Sequence, residues 1–128
     1  MRWLNDAERG STLVLAAIVM VAVLGAAGLA VDVASVYQER RELANGADAA
    51  ALAIAEDCAL GSRPCDTAAA TSTARHFASS NAGDGLAAVD LVSVDPTGGN
   101  VVVHTSTLNS DGTTTAPQYF SRLVGWSG

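Results

Sequence analysis

An uncharged run of apolar residues constrains this chain more than any other feature. Arg9 and Asp32 bracket Gly10–Val31, which contains no ionisable side chain and is built from Leu, Val, Ala, Ile, Met and Gly with Ser11 and Thr12 at its start. A helix needs about 20 apolar residues to cross a hydrocarbon core about 30 Å thick, and this run has that length. A helix on the surface of a soluble domain keeps a polar face, and here no polar face exists. Residues 11–31 therefore read as a transmembrane helix, residues 1–10 as a short tail and residues 32–128 as one small domain. The other candidate is a cleaved signal, because Gly28-Leu29-Ala30 has the small-residue pattern of a cleavage site. A signal usually begins basic and has a shorter apolar run, whereas Arg2, Asp6, Glu8 and Arg9 cancel here. Cleavage near Val31 would leave a secreted small binding module, which is the alternative function.

Small residues mark one side of the run. Ala22, Ala26, Ala30 and Ala34 recur at every fourth position, and Gly25 and Gly28 lie among them. Such stripes let a second membrane helix approach closely; simple alanine richness gives the same pattern. Arginines do not fix the orientation, since Arg2 and Arg9 before the run balance Arg40 and Arg41 after it. The cysteines do. Cys58 and Cys65 are the only two in the chain, with no further Cys or His at metal-ligand spacing. A local disulfide is the natural pairing, and disulfides persist outside the cytosol. That places the N-terminus in the cytoplasm and the domain on the other face of the membrane; two free thiols in a cytosolic domain are the alternative.

Beyond Asp32, the spacing of Val33, Val36, Tyr37, Leu43, Ala44, Ala47, Ala51 and Ile54 continues a helix. The spacing predicts one helix from about Ser11 to about Asp57, roughly 70 Å at 1.5 Å per residue. Gly46 is its weak point and Asn45-Gly46 the place where a kink could form, because Gly costs about 1 kcal/mol in a helix relative to Ala. Gly61 and Pro64 end the helix, and Asp66 is placed to cap a second one over Thr67–Ser80. Ala87–Val94 and Val101–Leu108 read as two strands around the turn cluster Asp95–Asn100. A hairpin alone is marginal, so it should pack on the second helix, on the upper part of the first, or on a further strand. Pro117 suggests a short terminal helix over Gln118–Val124. The fold class is α+β, anchored in a membrane.

The chain shows little sign of catalysis. His76 and His104 fall on different elements, Gly98-Gly99 belongs to a turn rather than to a phosphate loop, and no calcium-loop spacing occurs. Neither a cofactor nor a metal nor a small-molecule substrate is suggested, and an enzyme is not expected. The net charge is −6, and of the thirteen acids all but Asp6 and Glu8 lie from Asp32 onward. An acidic surface argues against nucleic acid, whose phosphates need clustered cations. Asp32 and Asp48 are expected to be solvated charges.

Several stretches together resemble a known family. Glu8-Arg9-Gly10-Ser11 precedes the run, Gly28-Leu29-Ala30-Val31-Asp32 closes it, Tyr37 and Arg40-Arg41 follow, and then comes Ala47-Asp48-Ala49-Ala50-Ala51-Leu52-Ala53. Order and spacing are similar to the N-terminal module of the TadE/TadG-like proteins of the tight-adherence (Flp) pilus machinery. The ending Tyr119-Phe120-Ser121-Arg122-Leu123-Val124-Gly125 is similar to a shorter motif of that family. The resemblance implies a pilin-like shape and a structural or assembly role beside other pilus-assembly membrane proteins or pilin-like subunits. It also marks Asp32, Tyr37, Arg40, Arg41 and Asp48 as motif positions, with Ala22, Gly25, Ala26, Gly28 and Ala30 as the packing face. Prepilin-type subunits carry a Glu five residues after the processing Gly, where this chain has Leu15 if Gly10 is that residue. An unprocessed TadG-like anchor is therefore expected. Gly46 interrupts the usual alanine run, and a chain of this length is not expected to hold the adhesion-type domain of longer relatives.

Overall fold

The computed structural model describes residues 3–115 and 119–120. Its elements are α1 (Trp3–Leu60), α2 (Thr67–Asn81), β1 (Ala87–Asp95) and β2 (Asn100–Thr107). The chain divides into two compact units. One is Met1–Ser35 with Gln118–Gly128, and the other is Val36–Pro117.

In the first unit α1 is apolar and open on all sides for most of its length. Leu13, Leu15, Met20, Val21 and Leu24 are each more than half exposed. The stretch is long and apolar enough to cross a membrane. The helix begins at Trp3, eight residues before the expected start at Ser11. It also runs on to Leu60 rather than Asp57.

The second unit is where a core forms. Ala50, Ile54, Ala70 and Ala74 make its buried centre, and Phe77, Val89, Val92, Val94, Val101 and Val103 pack against it. Alanines recurring every fourth residue on α2 give it a flat, small-residue face made of Ala70, Ala74 and Ala78. Gly46 belongs to this packing. A Cβ there would lie 3.0 Å from the Ala78 Cα, so the residue allows two backbones to meet. The helix continues through Asn45-Gly46, where the contact with α2 offsets the modest helix propensity cost of a glycine.

Local chemistry sets the ends of the elements. Asp66 caps α2 through its side chain, with the Ala69 N–H donating at 2.8 Å. Its first turn follows a short loop closed by the Cys58–Cys65 disulfide. Arg63 fastens this loop to α2 by donating to the Thr73 hydroxyl at 3.0 Å. The two strands form an antiparallel hairpin in which Val92 faces Val103 and Val94 faces Val101. A bulge between Val89 and Leu91 shifts the register. The extra residue lets Val89 share the inner face with Val92 and Val94, which strict alternation would forbid. Asp90, at the bulge, accepts the Ser106 hydroxyl at 3.0 Å. Of the three supports considered, the hairpin rests on α2, and the Thr105 hydroxyl ties it to α1 by donating to the Leu43 carbonyl at 3.0 Å. The expected terminal helix over Gln118–Val124 lies outside the described residues, apart from Tyr119 and Phe120, which form a bend.

Two changes test this packing. Gly46→Val forces a branched side chain against the α2 backbone and should cost about 2 kcal/mol, read as faster amide exchange along α2 in the detergent-solubilised chain. Replacing Cys58 and Cys65 together with Ser should cost about 2 kcal/mol, the chain-entropy value for so short a loop, and should leave the amides of the first unit unchanged.

Candidate functional site

The residues singled out in the sequence fall in two groups, one in each unit. In the first unit Gly25, Gly28 and Asp32 share a helix face, being three and four residues apart. Of the small residues, Ala22, Gly25, Ala26 and Ala30 are exposed and Gly28 is buried. Phe120 covers Gly28: a Cβ at that position would lie 3.2 Å from the Phe120 Cβ and Cγ. One turn further along, Asp32 takes the chain that carries Phe120. Its Oδ1 accepts the N–H of Tyr119 at 2.9 Å and the N–H of Phe120 at 3.0 Å, and its Oδ2 accepts the Phe120 N–H at 3.1 Å. Asp32 is 7% exposed, which corrects the expectation of a solvated charge. A carboxylate offers up to four lone-pair sites, and charge-assisted bonds to backbone N–H are among the stronger hydrogen bonds. Two motifs far apart in the sequence thus meet in space. Their contact was missed because nothing in either stretch alone indicates its partner.

In the second unit the motif residues behave differently. Tyr37, Arg40, Arg41 and Asp48 are all exposed, available to an outside partner and not used in the core. Between them, Glu42 holds the turn after α2. Its Oε2 accepts the Gly83 N–H at 2.7 Å while Gln38 donates to its Oε1 at 3.0 Å. These bonds, led by that from Gln38, lower the Glu42 pKa. Glu39 is affected in the opposite direction. Burial raises its pKa, the neighbouring charges of Asp84 and Glu42 raise it too, and a hydrogen bond from Thr107 works against them.

The remaining chemistry is sparse. His76 stands edge-on to Phe77 with ring centres 5.5 Å apart, and His104 is exposed. Among the described residues no group of three or more His, Cys, Asp or Glu could hold a metal ion. An open cleft of about 350 Å³ lies beside the disulfide, lined by Ala55, Cys58, Val94, Pro96, Val101 and Asp95 among others. Its one carboxylate is committed to the hairpin turn, where Asp95 Oδ1 accepts the N–H groups of Thr97 and Gly98. This arrangement offers a packing surface rather than a reactive group.

The two glutamates make a pH prediction of opposite signs. Glu39 has its pKa raised in the fold, so protonation favours folding and its charge is unfavourable above that pKa. Glu39→Gln should therefore stabilise the second unit by about 0.5 kcal/mol at pH 7, with the gain vanishing in acid. Glu42 has its pKa lowered, so its contribution is present at neutral pH and lost as the pH falls through that lowered value. Glu42→Gln should destabilise at pH 7 by at most a few tenths of a kcal/mol, roughly 0.3, because solvent screens so exposed a group, and should match the parent chain in acid. Thermal unfolding of both variants across pH 3 to 7, a range of about 4 units spanning the usual carboxylate values, checks the pair.

No curated protein and no solved structure matches the chain. A family model does match, the one described as "Putative Flp pilus-assembly TadE/G-like", over residues 10–56. The matched segment starts with the apolar run, contains Gly28, Asp32, Tyr37, Arg40, Arg41 and Asp48, and ends within α1. The likeness to TadE/G-like pilus-assembly proteins runs from Gly10 to Glu56, less than half of the chain.

Proposed function

We propose that the chain is a single-pass membrane protein serving as a structural or assembly component of a Flp (tight-adherence) pilus or a related secretion system. Its domain sits on the extracytoplasmic side and its N-terminus in the cytoplasm. The observation that carries this is the coincidence of the family match with one helix: residues 10–56 lie wholly inside α1. That helix is apolar and exposed at its start and takes part in a folded core further on. One element thus serves as anchor and scaffold. The disulfide supports the extracytoplasmic side, because such bonds persist there.

Within the family's two named types, the TadG-like unprocessed kind fits better. With Gly10 taken as the processing residue, Leu15 stands where a prepilin-type subunit carries Glu, and this departure supports the unprocessed reading. The partners are other membrane proteins of the pilus apparatus or pilin-like subunits. Ala22, Gly25, Ala26 and Ala30 are the surface they would pack on, and Tyr37, Arg40, Arg41 and Asp48 lie exposed beyond it. The role is mechanical, with no catalytic step.

Intact mass and fractionation of the natively expressed protein test this directly. The expected result is an unprocessed chain, confined to the membrane, with Cys58 and Cys65 unreactive to thiol reagents. A mature form beginning at Ser11 would make it a processed pseudopilin. A soluble form beginning near Val31 would instead favour the secreted binding module. A second check concerns the packing face: Ala26→Leu should reduce co-purification with partner membrane proteins severalfold, since a branched side chain at a close helix contact costs about 1–3 kcal/mol.

A further inference from the structure

The contact between Phe120 and Gly28 fixes the depth of Phe120 along α1. Gly28 lies one turn inside the end of the uncharged run, and Asp32 is the first charge after it. If α1 crosses the bilayer with that run, Phe120 stands at the depth of Gly28, whichever face of the membrane the domain occupies. We propose that Tyr119 and Phe120 form a second membrane contact: a piece of the C-terminal chain that dips to the acyl–headgroup boundary and is held there by Asp32. The partner is the lipid interface of the leaflet where α1 leaves the membrane. This rests on the assignment of α1 as a membrane anchor and adds a second point of attachment to it.

Three observations carry the proposal. The first is polar satisfaction. Backbone N–H groups that approach the hydrocarbon region need a partner within the protein. The N–H groups of Tyr119 and Phe120 both donate to Asp32. The second is the converse for the acid. A carboxylate at the edge of the hydrocarbon region is costly unless paired, and Asp32, 7% exposed, is bonded by those same donors. Each group answers the requirement of the other. The third is what the segment presents outward. Tyr119 is 63% exposed and Phe120 42%, beside Leu29 and Val31 at about half exposure. Aromatic side chains with one apolar and one wet end are enriched at that level of a bilayer. In water this would be an unfavourable apolar surface; at a lipid boundary it is a matched one. Gly28 completes the seat, because any side chain there would push the Phe120 ring away from the helix.

Depth-dependent fluorescence quenching tests the proposal in the full-length chain. Trp3→Phe and Trp126→Phe remove the native indoles, and Tyr119→Trp introduces a reporter. The protein is placed in phosphatidylcholine vesicles whose acyl chains are brominated either near the headgroup or near the bilayer centre. Met20→Trp in the same background reports on α1 itself. The expected result is strong quenching of the Tyr119→Trp reporter by the shallow bromines and weak quenching by the deep ones, with the reverse for Met20→Trp. Asp32→Ala should abolish most of the shallow quenching. Asp32→Asn, which keeps a carbonyl acceptor and so preserves the seat more gently, should give an intermediate value. No quenching of the Tyr119→Trp reporter, with Met20→Trp still quenched, would overturn the second contact and leave the anchor standing. Absence of quenching at both would remove the anchor and the proposal together. Equal quenching in the Asp32, Asn and Ala chains would show that the carboxylate does not hold the segment, which overturns the mechanism proposed.

Discussion

The approach of α1 to α2 at Gly46 and Ala78 is the contact on which the residues from Val36 onward depend. Helices whose facing residues are Gly and Ala can come together closely, which brings backbone atoms within reach of one another. The geometry is tight, but each alanine contributes little apolar area, and hydrophobic stabilisation scales with that area. A core of Ala50, Ala70 and Ala74 around a single Ile54 is thin. The unit supplements it with directional links. The Cys58–Cys65 disulfide closes the corner between the helices, Arg63 bonds Thr73, Glu42 holds Gly83, and Thr105 reaches Leu43. These bonds lie around the alanine contact, where they limit how far the elements can slide on so smooth an interface. The hairpin then adds the larger side chains that the helices lack, with valines from both strands laid over the small-residue face.

Much of this was legible in the sequence wherever the signal is local. The uncharged run, the cap at Asp66 and the turn cluster at Asp95–Asn100 each carry their own chemistry, and α2 and the hairpin lie within a residue of their expected bounds. Gly46 was legible as a departure but not as a contact. Its intrinsic effect on a helix is destabilising, and only the presence of Ala78 explains its place. The bulge beside Asp90 was hidden for a similar reason. Apolar alternation through Ala87–Val94 looks regular, and the break appears only when Val89 and Val92 are required to face the same side. At the candidate site the resemblance read from the sequence pointed to Asp32 and to Tyr119–Phe120 separately. Their contact spans more than eighty residues, a separation over which neither periodicity nor propensity carries information.

The acid excess takes on a different meaning once the hydrogen bonds are known. Scattered carboxylates on a chain of net charge −6 would ordinarily be read as a solvated surface. Yet Asp66 caps α2, Asp84 accepts the Leu86 N–H, Asp95 accepts those of Thr97 and Gly98, and Asp111 accepts that of Thr113. Glu42 and Asp32 do the same for residues far along the chain. Among the described residues, acids accept backbone N–H groups that have no ladder or helix to satisfy them, at several of the places where the chain turns or returns. Backbone N–H groups cannot be left unpaired away from water, and a carboxylate satisfies more of them per side chain than any neutral acceptor. The consequence differs with position. At exposed turns the same donors could be met by water, so these bonds chiefly select a turn conformation. At Asp32, which is 7% exposed, water is not the ready substitute for the acceptor that the Tyr119 and Phe120 N–H groups find there. The position of the acid in the chain, and not the total charge, is what carries structural information.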